Sequence, residues 1–234
     1  NVNATIQLGR RTALYGSWVT GLEESGVAPD IAANRNEALP AIITRQLDAG
    51  VRQTLGGLTL VAGAFQLTKP YFNLDAQNRF GPLGTVANRG LEFSVAGPVT
   101  PALSVVAGGV LSWPRVAGEA VALGVAGPLP VGAIRRRLNL SLDWRPPFAP
   151  GLSFDLGVFA NSSTVATVNN AVAIPPQTFI DVGARYAFKL GGRDAVLRAQ
   201  IFNLGGVNGL FLQDAGVFGM NDGRVAQVYL TIDF

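Results

Sequence analysis

The stretch Arg137-Leu138-Asn139-Leu140-Ser141-Leu142-Asp143-Trp144-Arg145 alternates apolar and polar side chains without a break over nine residues. Successive side chains of an extended strand point to opposite faces, so Leu138, Leu140, Leu142 and Trp144 share one face and Arg137, Asn139, Ser141, Asp143 and Arg145 the other. The pattern recurs on both sides. Downstream, Leu152, Phe154, Leu156 and Val158 align, as do Ile180, Val182, Ala184, Tyr186 and Phe188 opposite Asp181 and Arg185. Upstream, Leu47, Ala49 and Val51 stand opposite Asp48 and Arg52, and the last residues put Ala226, Val228, Leu230, Ile232 and Phe234 on one face. These segments predict about eleven strands, near 2–8, 12–20, 43–55, 57–68, 85–97, 102–113, 134–145, 151–161, 177–189, 194–204 and 223–234. Most have the roughly nine to eleven residues that a tilted strand needs to cross a bilayer.

The connections alternate in length. Short ones fall at Gly9-Arg10-Arg11, Gly56-Gly57, Gly97 to Pro101, Pro146 to Gly151 and Leu190 to Arg193; long ones occupy 21–42, 69–84, 114–133, 162–176 and 205–222. Short turns at one rim and long loops at the other are the pattern of outer-membrane barrels, with short turns in the periplasm. The expected fold is an all-β, antiparallel transmembrane barrel, or the C-terminal half of a larger one, forming a single unit over residues 1–234. A soluble all-β sandwich is the alternative, and the strand lengths, low charge and sided loops weigh against it. A spanning helix fails on its breakers. The charge-free run from Glu92 to Arg115 is interrupted by Gly97-Pro98-Val99-Thr100-Pro101, and the run from Ala120 to Ile134 contains Pro128 and Pro130. The chain starts at Asn1 with no signal-peptide pattern and reads as processed or truncated.

Composition agrees. Of 234 residues 48% are hydrophobic and 14% charged, well under the roughly 25% charge of soluble domains. The absence of His and Cys removes the commonest metal ligands and the His-based catalytic triads, so no metal site and no catalytic residue is expected. Glu23-Glu24 lies in a loop that fixes no carboxylate separation, and Gly205-Gly206-Val207-Asn208-Gly209 lacks the lysine of a phosphate-binding loop. The net charge of +3 is a thin excess with no basic block beyond Arg135-Arg136-Arg137, which gives nucleic-acid binding little support.

Several segments carry a family resemblance. They are Leu39-Pro40-Ala41-Ile42-Ile43-Thr44-Arg45-Gln46-Leu47-Asp48-Ala49-Gly50-Val51-Arg52, Lys69-Pro70-Tyr71-Phe72-Asn73-Leu74-Asp75, Asn88-Arg89-Gly90-Leu91-Glu92 with the Gly97 to Pro101 turn, Ile201-Phe202-Asn203-Leu204, and the closing Tyr229 to Phe234. In order and spacing they resemble the C-terminal part of the barrel of a TonB-dependent outer-membrane receptor of the ferric-siderophore branch. The resemblance implies uptake of a ferric siderophore, with no resident cofactor, driven by a TonB complex that engages a region outside this chain. It also implies a plug domain, which nothing here matches, and a barrel of about 22 strands, of which this chain supplies about half. Asn88 stands where many relatives carry His, and Gly205-Gly206 follows the Asn-Leu element in place of the usual Phe-Asp. A passive porin-like or structural small barrel is the alternative from a different class.

On that reading Arg45, Asp48, Arg52, Arg137, Asp143, Arg145, Asp181, Arg185 and Arg198 form the polar faces toward a wet lumen. Arg52 and Arg137 are candidates to attract an anionic chelate, since the guanidinium fork suits carboxylate and catecholate oxygens; an interleaved ladder of Arg–Asp pairs is the structural alternative. Tyr71, Phe72, Phe80, Phe211 and Phe218 are the loop aromatics expected to grip an amphipathic ligand. Trp18, Trp113, Trp144 and Tyr15 are assigned to the interfacial girdles that meet outer-membrane lipid. Tyr229, Ile232 and Phe234 resemble the terminal signal read by the barrel-assembly machinery.

Overall fold

The computed structural model describes residues 1–233, so the Phe234 expectation lies outside the described residues. The strands are β1 (Val2–Gln7), β2 (Thr12–Glu23), β3 (Ile42–Leu55), β4 (Leu58–Leu74), β5 (Phe80–Thr100), β6 (Leu103–Ala117), β7 (Arg136–Trp144), β8 (Leu152–Asn161), β9 (Thr164–Val165), β10 (Ala173–Ile174), β11 (Gln177–Leu190), β12 (Arg193–Phe202), β13 (Leu210–Asp214), β14 (Val217–Met220) and β15 (Val225–Ile232), with one helical turn α1 (Glu119–Ala122) after β6. Eleven of them form one antiparallel sheet in the order β1-β2-β3-β4-β5-β6-β7-β8-β11-β12-β15. These are the eleven segments that the alternation predicts. The pairs β9–β10 and β13–β14 are small separate hairpins within two of the long loops. The sheet is open, ending at β1 and β15, which is the arrangement of a partial barrel.

The short turns follow from local chemistry. Leu190 pairs with Arg193 across Gly191 (φ 60°) and Gly192 (φ 82°), a two-residue hairpin that needs positive φ at both central positions. Directly paired residues share a face, so the register sorts the side chains. One outward row runs Trp18–Leu47–Gln66–Arg89–Trp113 across β2 to β6. Phe93, Leu138, Trp144, Phe154 and Tyr186 are likewise outward and exposed. Among the described residues no large side chain is fully buried, because no second sheet covers this one. An apolar face that large, left bare in water, is incompatible with a soluble sandwich.

Two aromatic belts bound the apolar face. Trp18 and Trp113 mark the long-loop side; on the other side Trp144 stacks on Phe154 at 5.6 Å and Tyr186 on Phe188 at 5.5 Å. Trp144 pairs with Leu103, ten residues before Trp113 on β6. Ten residues of strand rise about 33 Å, or about 25 Å at a tilt near 40°, which matches the apolar band of outer-membrane barrels.

Three expectations change. Tyr15 lies three residues from Trp18 and so faces inward, its hydroxyl over Gly50 and Gly63, neither of which has room there for a Cβ. Arg45 pairs with Thr20 and Thr68 on the face of Leu47, and therefore points outward and not into the lumen. Residues 69–84 are not an irregular loop. β4 and β5 continue as paired strands to Leu74 and from Phe80, leaving only 75–79 as the tip; a register shift between Tyr71 and Phe72 accommodates the Phe72–Pro82 pairing.

Candidate ligand-binding site

The long β4–β5 hairpin carries the first group of candidate residues. Tyr71 and Phe72 stand near its end and Phe80 begins the returning strand; the Phe72 and Phe80 rings lie 6.1 Å apart at 33°. The tip is held from the side. The Asn34 side chain donates to the Phe80 carbonyl (3.0 Å) and accepts from its N–H (2.8 Å). The Asn78 amide donates to the Ile31 carbonyl at 2.6 Å, and Arg79 pairs with Glu37 at 3.3 Å. Tyr71 packs on a small apolar cluster of Leu83, Ala120 and Ala126, which ties the hairpin to the segment around α1. These contacts present Phe72 and Phe80 as a fixed, half-exposed pair.

Phe211 and Phe218 form a second group on the β13–β14 hairpin. The Phe211 ring covers Gly219, and with Ile134, Ile174, Pro175 and Gln177 it lines a cavity of about 180 Å³ where three loops meet. Phe218 pairs with Leu212 and remains exposed. Asparagine side chains also brace this side. Asn170 donates to the Leu129 carbonyl and accepts from the Leu129 N–H, both at 2.9 Å. Asn203 donates to the Val207 and Asp222 carbonyls at 2.9 and 3.0 Å and accepts from the Val207 N–H at 2.8 Å. No ring contact among the described residues joins the Phe72–Phe80 pair to Phe211 or Phe218. The loop aromatics form two separate groups at the mouth.

Arg52 and Arg137 occupy the inner wall. Arg52 is inward between Ala13 and Val61 and exposed, with no ion pair among the described residues. Arg137 donates from Nε to Asn161 Oδ1 at 3.1 Å and lines a groove of about 280 Å³ with Glu92, Ser94 and Asn139. Other inner arginines are compensated. Asp143 accepts Arg145 at 2.8 Å and Arg185 at 3.8 Å, and Arg198 meets Asp155 at 3.5 Å. The Arg–Asp ladder thus accounts for Arg145, Arg185 and Arg198, whereas Arg52 keeps its charge uncompensated. On the terminal strand Tyr229 pairs with Arg198 on the inner face, and Ile232 pairs with Ala195 on the outer face.

The sequence profile of the TonB dependent receptor-like β-barrel family matches residues 1–204. The chain belongs to this family. The ferrichrome receptor FcuA of Yersinia enterocolitica is 26% identical over 205 residues, which is 84% of this chain and 26% of FcuA. Among solved structures, BauA, the ferric preacinetobactin receptor from Acinetobacter baumannii, superposes with a TM-score of 0.85 at 25% identity, over 99% of this chain and 36% of BauA. The siderophore receptor PiuA of the same organism has the same fold, with a TM-score of 0.81 at 17% identity over 97% of this chain and 34% of PiuA. The chain spans about a quarter of FcuA and about a third of BauA and PiuA. Its outward apolar belt is that of an outer-membrane protein.

For a TonB-dependent receptor barrel the loop clamps are the elements that sequence reading missed. Among the described residues, every non-glycine residue with positive φ is an asparagine: Asn36, Asn78, Asn170 and Asn203. Asparagine tolerates the left-handed region best among residues with a Cβ, and its amide reaches nearby backbone. Asparagine within long loops was the signal present in the sequence.

Proposed function

We propose that the chain is the C-terminal portion of the barrel of an outer-membrane receptor for ferric siderophores, energised from the inner membrane through a TonB complex. The supporting observation is the braced Phe72–Phe80 pair at the long-loop rim above an inner wall that bears the uncompensated Arg52. Iron arrives as a chelate with apolar faces around anionic donor oxygens. Tyr71, Phe72, Phe80, Phe211 and Phe218 grip its faces at the mouth, and Arg52 and Arg137 draw its charge inward. The named ligands of FcuA and BauA, ferrichrome and ferric preacinetobactin, support the ligand class. The protein performs no chemistry on the ligand; capture and translocation are its work, with a plug domain and the TonB-engaging segment supplied by the rest of the receptor. Tyr229, Ile232 and Phe234 serve recognition by the barrel-assembly machinery.

The test is uptake of radiolabelled iron, presented as a panel of hydroxamate, catecholate and mixed-ligand ferric chelates, by iron-starved cells expressing the intact receptor. At least one chelate should bind on ice and enter only when TonB is present. Uptake that continues without TonB and extends to unrelated small solutes indicates a passive channel and overturns the proposal.

A further inference from the structure

Three phenylalanines break the polarity of the inner wall. Phe159 pairs with Asn139 and Phe179, and Phe202 pairs with Val225, so all three point inward near the long-loop ends of β8, β11 and β12. Below them, down to Ser153, Arg185 and Arg198, the same strands turn only polar residues and glycine inward. Among the described residues the three rings make no ring contact with one another, and Phe159 is 41% exposed. Bare aromatic surface in a wet lumen costs about 25 cal/mol for each Å² left uncovered, so the wall is built to receive a guest.

The rings surround a hollow. A cavity of about 450 Å³ lies between Phe159, Phe179 and Phe202, with Asp181 and Asp222 on its walls. Gly157 makes room beside it: a Cβ there would stand 3.3 Å from the Phe159 ring and 3.6 Å from Asp181 Cβ, so ring and acid adjoin across the glycine. Asn203, only 6% exposed, fixes both acids. Its N–H donates to Asp181 Oδ1 at 2.8 Å, and its side-chain amide donates to the Asp222 carbonyl at 3.0 Å. Neither carboxylate has an ion pair among the described residues, and no lysine or arginine lines the cavity. Arg137 lies one inward row nearer the mouth on β7, its Nε committed to Asn161.

We propose that this hollow binds a protonated organic amine carried on an arm of the ligand. The face of an aromatic ring is negative and attracts a cation within about 6 Å, more strongly when both are desolvated. Asp181 and Asp222 supply the opposite charge, and the three rings cover a carbon skirt that an inorganic cation lacks. An anionic arm is repelled here, and a neutral one forgoes the charge attraction. The inference deepens the siderophore reading and rests on it for the identity of the arm's carrier. Arg137 takes the anionic donor oxygens while the hollow, one row deeper, takes the positive end, so the favoured chelate is zwitterionic.

The test uses the intact receptor in neutral detergent and para-fluorophenethylammonium, with its N-acetyl derivative as the neutral counterpart, binding being read by fluorine NMR line broadening. The ammonium should bind roughly 10-fold more tightly than the N-acetyl form. The pair D181N/D222N should remove that preference. Phe159→Leu and Phe202→Leu keep an apolar wall without the ring face, and each should weaken ammonium binding by roughly 2- to 5-fold with the N-acetyl form little changed. The pair D30N/D214N, an equal charge change on two other loops, should leave binding unchanged. Equal binding of the two probes overturns the proposal, as does a preference that survives D181N/D222N. Absence of ammonium binding also overturns it, by showing that the hollow is filled from within the receptor. Should the double variant fail to assemble, the two leucine variants still decide. TonB-dependent iron uptake is measured separately: an ammonium preference without uptake overturns the siderophore reading alone, and uptake without that preference overturns this inference alone.

Discussion

Asn203 makes three side-chain hydrogen bonds while its backbone sits at φ 51°, so one residue closes the loop after β12 at both ends. Replacing it with Ala removes all three and leaves the Val207 N–H and two carbonyls to find water. Asn203→Ala should loosen that loop by about 1–3 kcal/mol, seen as faster protease cleavage between 204 and 224 with the barrel strands still protected. Leu140 offers a contrasting case: it faces outward in the middle of β7, paired with Ala107 and Val158. Leu140→Arg should cost roughly 2–4 kcal/mol at the bilayer midplane, whereas Asn139→Arg on the inner face should cost far less, both measured by urea unfolding in lipid vesicles. Periodicity already placed Leu140 correctly. For Tyr15 and Arg45 the expectation followed residue type and failed, although their spacing from Trp18 and Leu47 determines the opposite face. In a sheet of this kind parity outranks chemical preference. Asn203 was less legible, because its partner Asp222 lies 19 residues away and no periodic pattern reports such a bond.

At the scale of elements, the β4–β5 hairpin is the instructive departure. Its strands have 17 and 21 residues, well beyond the roughly nine to eleven needed to cross the membrane. Pro70, Asn73, Asn78, Gly81 and Pro82 are turn formers, and by propensity the segment reads as a loop. Tertiary contacts keep it extended: Asn34 ties Phe80 in place, and the Tyr71 ring rests on Leu83 and Ala120. Asn34 and Ala120 lie outside the hairpin and were invisible in the local pattern. Because the aromatic pair is held before any ligand arrives, Phe72→Ala and Phe80→Ala should each weaken ferric-siderophore binding by roughly 2- to 10-fold, the worth of one aromatic contact. Equilibrium binding to whole cells measures this. The double variant should lose little beyond either single change, since one ring depends on the other.

For the whole molecule, the strand succession was legible because alternation, turn chemistry and loop sidedness point to the same sheet, and the single-sheet topology bears this out. Strand lengths above the membrane and the separation of the mouth into two aromatic groups were not, since both depend on loop-to-loop contacts. Openness of the sheet has a direct consequence: β1 and β15 each present a row of unpaired backbone groups. The 234-residue chain refolded alone in detergent should therefore pair edge to edge and migrate as oligomers on semi-native gels. It should lack the heat-dependent mobility shift of a closed barrel. A sharp, heat-modifiable monomer would contradict this.

The meander of neighbouring strands also carries a timetable. β3 and β4 are joined by Gly56-Gly57 alone, whereas 18 residues (24–41) separate β2 from β3. Closing the longer link costs roughly 2 kcal/mol more in chain entropy. Hairpins with short turns are therefore the first units to form, and the long connections close afterwards, joining finished hairpins side by side. Growth in this fashion never needs a distant segment to be found. At every stage a single live edge seeks the next hairpin, so assembly proceeds like a zip whose teeth are pairs of strands.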